Sequence, residues 1–180
     1  MINQIILYVL LFGPWISLFW AKKGSVRRYM PVTIFTSFLM TIVFQIAYTY
    51  DWWTIHSYIV PWGYMIDVSF AYGLFAVGTF WVFYFTSQRF WLYSLTNLAL
   101  DSFFCFVGFP GLQYFGIASL NNITTWQYLI VIYAVSMIIY VYHRWQSKIF
   151  TPPSSREIKR TTAPSPFEIE VQLGKREKIK

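Results

Sequence analysis

One cysteine and two histidines are the only thiol and imidazole ligands in these 180 residues. The lone Cys105 excludes an internal disulfide and any multi-cysteine metal site. His56 and His143 fall on opposite sides of the predicted membrane, so they cannot share a metal. No H-E-x-x-H pair, phosphate loop or G-x-S-x-G elbow occurs. No catalytic residue, metal site or cofactor is therefore assigned. Charge is scarce as well: charged residues make up 12% of the chain, against roughly 25% in soluble domains.

Apolar side chains fill that space. Hydrophobic residues are 57% of the chain and aromatic ones 23%. They gather in runs of membrane-crossing length, which predict helices over 2–21, 31–50, 62–86, 90–109 and 124–145. A helix rising 1.5 Å per residue needs about 20 apolar residues to cross ~30 Å of hydrocarbon. The third run is longer and is expected to tilt or to extend into the interface. Ser87, Gln88 and Arg89 alone make the turn between the third and fourth. The fold class expected is an all-α transmembrane bundle of about five helices, occupying 1–146 ahead of a tail at 147–180.

The basic residues orient it. Lys22, Lys23, Arg27 and Arg28 lie between the first two helices, Arg89 between the third and fourth, and the rest from Arg144 onward. None occurs before the first helix, between the second and third, or between the fourth and fifth. Five crossings put all 14 on one side, so the N-terminus is expected outside and the C-terminus in the cytoplasm. The net charge of +7 then follows from topology and anionic inner-leaflet lipid, with no nucleic acid as partner. The first run lacks a preceding basic residue and a following small-residue cleavage site, and so reads as a span rather than a secretory signal.

Aromatic residues crowd the helix ends: Tyr48, Tyr50, Trp52, Trp53, Tyr58 and Trp62 on one side, Trp20, Tyr29, Tyr84, Trp91, Tyr142 and Trp145 on the other. Their amphipathic rings suit the headgroup level and are expected to anchor the bundle. Pro31 suits the first turn of the second helix, where its missing N–H breaks no bond. Beyond Trp145 the chain turns rich in Pro, Ser, Thr and charge, the composition of a disordered basic tail. Within the tail, Phe167 to Leu173 alternates apolar and polar residues, the pattern of a strand that adds to a partner's sheet edge.

Intramembrane polar residues are costly and therefore informative. Asp67 and Asp101 are placed at similar depth in two helices expected to be antiparallel neighbours. Asn97 is one helical turn from Asp101, Gln45 nears the end of the second helix, and His56 lies in the loop beyond. Together these five form a candidate polar site. Close carboxylates in low dielectric share a proton, which suits proton or cation binding, transport, or aspartyl hydrolysis inside the membrane. The alternative is that each Asp hydrogen-bonds a neighbouring helix and specifies packing. Asn97-Leu98-Ala99-Leu100-Asp101-Ser102 echoes the Asn-x-x-Ala-Asp-Ser stretch of lipoprotein signal peptidases, but its spacing is off by one and the rest does not match, so it carries no assignment.

Arg27-Arg28-Tyr29-Met30-Pro31, the outer-loop aromatics Tyr50-Asp51-Trp52-Trp53, acids in the next two helices and Thr125-Trp126-Gln127-Tyr128 form a pattern. It resembles a family of small uncharacterised multi-pass membrane proteins of spore-forming Gram-positive bacteria. The resemblance covers Met1 to about Phe150 and implies five helices in a bacterial plasma membrane or spore membrane. It brings no activity. The functional expectation is a non-enzymatic accessory component binding a partner through its tail. The alternatives are a small transporter using the Asp pair, which with only five helices would work as a homodimer, and an intramembrane hydrolase.

Overall fold

Five runs this apolar can satisfy their backbone groups in lipid only as helices, because each helix closes its hydrogen bonds within itself. The computed structural model, which describes residues 2–86 and 89–150, has that architecture. Its helices long and apolar enough to cross a membrane are Ile2–Trp20, Lys23–Thr49, Ser69–Thr86, Phe90–Tyr114 and Thr125–Ile149. In chain order the elements are α1 (Ile2–Ser17), α2 (Lys23–Thr49), β1 (Trp53–Ile55), α3 (Phe75–Thr86), α4 (Phe90–Phe103), α5 (Phe109–Tyr114), β2 (Ala118–Leu120) and α6 (Thr125–Phe150). Ser69–Leu74, ahead of α3, and Phe104–Gly108, between α4 and α5, are π-helical. The chain divides into two compact units, Met1–His143 and Arg144–Lys180. The first holds the site; of the second, 144–150 is described and continues α6. Ser87, Gln88 and the tail with its Phe167–Leu173 stretch lie outside the described residues.

Four helix ends differ from expectation: the last helix runs on past 145 to Phe150, and the other three differ for local reasons. The second helix begins at Lys23, so Pro31 is interior and Lys23, Arg27 and Arg28 are helical. Proline's lost bond is tolerable in a spanning helix whose surroundings re-satisfy the backbone. Farther along α2, Thr33, Thr36, Ser37 and Thr41 each turn a hydroxyl onto the carbonyl four residues back, at 2.9, 2.9, 3.4 and 2.9 Å, none of them the Arg27 carbonyl that Pro31 leaves without its amide. The third span starts at Ser69 because 61–65 form turns, with Gly63 wedged against Tyr58 where no side chain would fit. Eighteen residues give it ~27 Å, so it needs no exceptional tilt. The fourth continues past Phe109 to Tyr114, because the π-helical stretch carries the chain into Pro110 at the start of α5.

Aromatic packing holds the spans together. Tyr29 meets Phe80 and Phe83 at ring-centroid distances of 6.0 and 6.3 Å, and Phe83 meets Tyr93 at 4.7 Å. At the end opposite the basic residues, β1 and β2 pair antiparallel with Trp53 opposite Leu120, Thr54 opposite Ser119 and Ile55 opposite Ala118. This sheet sits on the loops after α2 and α5, where the sequence predicts only turns and interfacial rings. Trp53 and Tyr29 are buried in the core rather than at an interface, whereas Trp20, Tyr50, Trp62 and Trp91 are exposed as expected of anchors.

Candidate functional site

A carboxyl deep in a bilayer demands either a partner or a purpose. Asp101 stands eleven residues from the start and thirteen from the end of Phe90–Tyr114. Ser136 holds the same position in Thr125–Ile149, and Thr36 the midpoint of Lys23–Thr49. All three line one cavity of about 280 Å³, together with Asn97 and Thr79. The rest of its wall is apolar, with Met40, Phe75, Phe104, Ile132 and Val135 among its members. The bundle therefore carries a polar patch at mid-span inside a hydrocarbon pocket.

Its hydrogen bonds are few. The Ser136 hydroxyl donates to Asp101 Oδ2 at 3.4 Å, and the Asn97 amide donates to the Tyr93 carbonyl at 2.9 Å. Thr36 donates to the Val32 carbonyl at 2.9 Å. Two further bonds pin α4 to α6. The Tyr93 hydroxyl donates to the Ser136 carbonyl at 2.8 Å, and the Ser94 and Tyr133 hydroxyls pair at 2.6 Å. Tyr93, Ser94, Asn97 and Asp101 share one helical face, which explains why one neighbour engages them together. Among the described residues, Asp101 Oδ1 accepts no hydrogen bond, and the side chain is 9% exposed.

Asp67 does something else. It immediately precedes the third helix, whose first bond runs from the Ala71 amide to the Asp67 carbonyl at 2.9 Å. Its Oδ1 accepts the Ser69 and Phe70 amides at 2.8 and 3.4 Å, the geometry of a helix N-cap. Those are two of the donors a helix start leaves unpaired. Asp67 lines a separate void of about 20 Å³, large enough for about one water. Phe75 and Phe104, 5.1 Å apart edge to face, line both spaces and so stand between them. Asp67 thus sits at the helix boundary and Asp101 ~20 Å along the helix from Tyr114, not at the common depth expected.

Outside the spans, burial pushes the Asp67 carboxyl up to about 6, against the lowering effect of its amide bonds. A folded value above the ordinary 3.8 means stability that is fully present below that value and lost as pH rises through about 6. Asp67→Asn is expected to keep the cap and flatten this dependence, whereas Asp67→Ala costs about 1 kcal/mol. Thermal melts in detergent on either side of pH 6 check both, and equal losses from the two substitutions would remove the capping role.

The remaining expected members disperse. Gln45 is exposed on α2 and its carbonyl accepts the Thr49 hydroxyl at 2.9 Å. His56 lies beyond β1, where its Nε2 meets the Ser119 hydroxyl at 2.9 Å. Only Asn97 and Asp101 of the five share a cavity. Ser136, Thr36 and Thr79 join them unforeseen; a hydroxyl near the middle of the predicted span 124–145 is a signal for Ser136, whereas Thr36 is central only in the longer observed helix Lys23–Thr49. Such an arrangement can hold a guest by hydrogen bonding and apolar contact, but it offers no second carboxyl for acid–base exchange. No family model, curated protein or solved structure matches the chain.

Proposed function

We propose that this chain is a non-enzymatic accessory component of its membrane that binds a small lipid-soluble guest between its helices. The observation that carries the reading is a cavity of about 280 Å³ at mid-span with one carboxyl in an otherwise apolar wall. That volume lies near the lower end of the ~300–1,000 Å³ typical of small-molecule sites. Leu100 and Phe103 line the cavity and are 51% and 63% exposed, so it opens sideways, toward lipid. Gly78 belongs to the same wall, and a Cβ there would meet nothing within 4 Å. π-helical turns are rare and recur at functional sites; here they flank the cavity in two spans.

A neutral amphiphile tests it. Octanol added to the delipidated protein is expected to raise its melting temperature, with about 2.7 kcal/mol of stabilisation at a hundredfold excess over Kd. Gly78→Leu fills the opening and removes the effect while folding normally, since leucine is also the better helix former. Equal stabilisation of both forms would place octanol elsewhere and end the reading. A second reading, cation carriage by a dimer, is favoured by the midpoint position of Asp101. Hydrolysis is disfavoured by the separate surroundings of Asp67 and Asp101.

A further inference from the structure

The polar atoms that face this cavity are mainly acceptors. Asp101 Oδ1 takes no hydrogen bond from the described residues, and the Asn97 amide gives one of its two N–H groups to the Tyr93 carbonyl, which leaves its oxygen and one N–H. Thr36 spends its proton on the Val32 carbonyl and Ser136 spends its own on Asp101, while the Thr79 hydroxyl in the same wall can donate or accept. Asp101 Oδ1 and the Asn97 oxygen are the acceptors left over, and a guest that completes both must bring more than one donor. The basic residues described in the first unit, Lys22, Lys23, Arg27, Arg28 and Arg89, lie ahead of a helix or within its first two turns, at the ends away from the sheet. None reaches mid-span to neutralise the carboxyl.

From this we infer that the guest is a lipophilic primary amine, its ammonium on Asp101 and Asn97 and its hydrocarbon along Phe75, Phe104, Ile132 and Val135. The inference rests on the guest-binding reading above and adds the headgroup. An ammonium has three donors, enough to meet Asp101 Oδ1 and the Asn97 oxygen together, whereas a hydroxyl brings a single donor. Charge assistance strengthens each bond to the carboxylate. The aromatic rings of Phe75 and Phe104 add a favourable surface for a cation. A bare metal ion fits poorly, because hard cations want six or more oxygens and most of this wall is hydrocarbon.

The test compares octylamine hydrochloride, octanol and octyltrimethylammonium chloride as stabilisers of the purified chain in detergent at neutral pH. Octylamine is expected to half-saturate at a concentration at least tenfold below either of the others. Asp101→Asn should abolish that preference while leaving the octanol response, and Gly78→Leu should abolish all three responses. Octanol matching octylamine on the unaltered chain would overturn the amine and leave guest binding intact. A response to none of the three would overturn both. The quaternary ion, a cation without N–H donors, decides the matter even if Asp101→Asn does not fold: binding as tight as octylamine's would refute donor recognition. Stabilisation by sodium chloride alone, absent with choline chloride, would likewise sink the amine in favour of an inorganic cation.

Discussion

Gly73→Ala is expected to unseat the first helix. Gly73 lies in the π-helical stretch before α3, where α1 crosses so closely that a methyl group would strike the Leu10 carbonyl. It would also sit 2.8 Å from Leu11 Cα and 3.0 Å from the Leu10 carbonyl carbon. These are backbone atoms of α1, so no rotamer change makes room, and the helix itself must move. Small residues at such crossings are how spanning helices come close when hydrophobic driving force is absent. Two indole bonds depend on the same approach: Trp15 Nε1 donates to the Tyr72 carbonyl and Trp81 Nε1 to the Ser17 hydroxyl, each at 2.8 Å. Overpacking costs about 1–3 kcal/mol and occasionally more. With both bonds strained, about 3 kcal/mol and a melting temperature lower by ~10 °C are expected. Gly78→Ala, in the same span with open space around it, should melt no lower than the unaltered chain, since alanine is the better helix former. Truncating Leu10 or Leu11 should give no rescue; recovery in a Leu10→Ala background would mean the clash lies with a side chain instead.

That crossing shows where reading the sequence runs out. Ser69, Gly73 and Ala76 mark one small-residue side of the third helix, but nothing in the order of residues says that α1 is what comes close. Span number is legible because hydrocarbon thickness and helix rise leave few ways to arrange apolar runs of this length. Helix ends are less so. Pro31 reads as a beginning by soluble-protein rules, yet it sits inside a continuous helix from Lys23 to Thr49. Of the polar residues, Asp101 and Asn97 stand out in the sequence because intramembrane cost marks them. The same cost marks Asp67 but misplaces its depth. An acid immediately ahead of an apolar run also fits the N-cap pattern, and that pattern describes its bonds. Ser136 and Thr36 escape because a lone hydroxyl in a span can satisfy itself on its own helix, and their meeting with Asp101 is a matter of tertiary packing. The two strands are three residues each, too short for alternation to register.

Trp53→Ala is expected to produce the largest loss at the sheet end. As one of a run of aromatic residues beyond the second helix, Trp53 is expected from sequence to lie at the membrane interface. It is instead 6% exposed, edge-on to Phe44 of α2 at 5.5 Å and to Tyr128 of α6 at 5.1 Å. The strand that holds it is short, so its order depends on what surrounds it. Asp51, with φ of 51°, turns the chain out of α2 in a left-handed conformation that Asp tolerates better than most residues. The Asp51 carboxylate then accepts the side-chain amides of Asn121 and Asn122 at 2.8 and 3.4 Å, and the Trp52 carbonyl accepts the Asn121 backbone amide at 2.9 Å. Polar bonds this exposed contribute little by themselves, whereas burying an indole contributes much. Removing it should cost about 4 kcal/mol through lost contact and an unfilled cavity. The sheet amides paired across Thr54 and Ser119 should then exchange with solvent far faster, while those at the α4–α6 contact of Tyr93 and Ser136 stay protected. Trp53→Phe keeps a ring between Phe44 and Tyr128 and should lose less than half as much. A Trp53→Ala protein that melts like the unaltered chain, with its sheet amides still slow, would show that the polar bonds alone secure this end of the bundle.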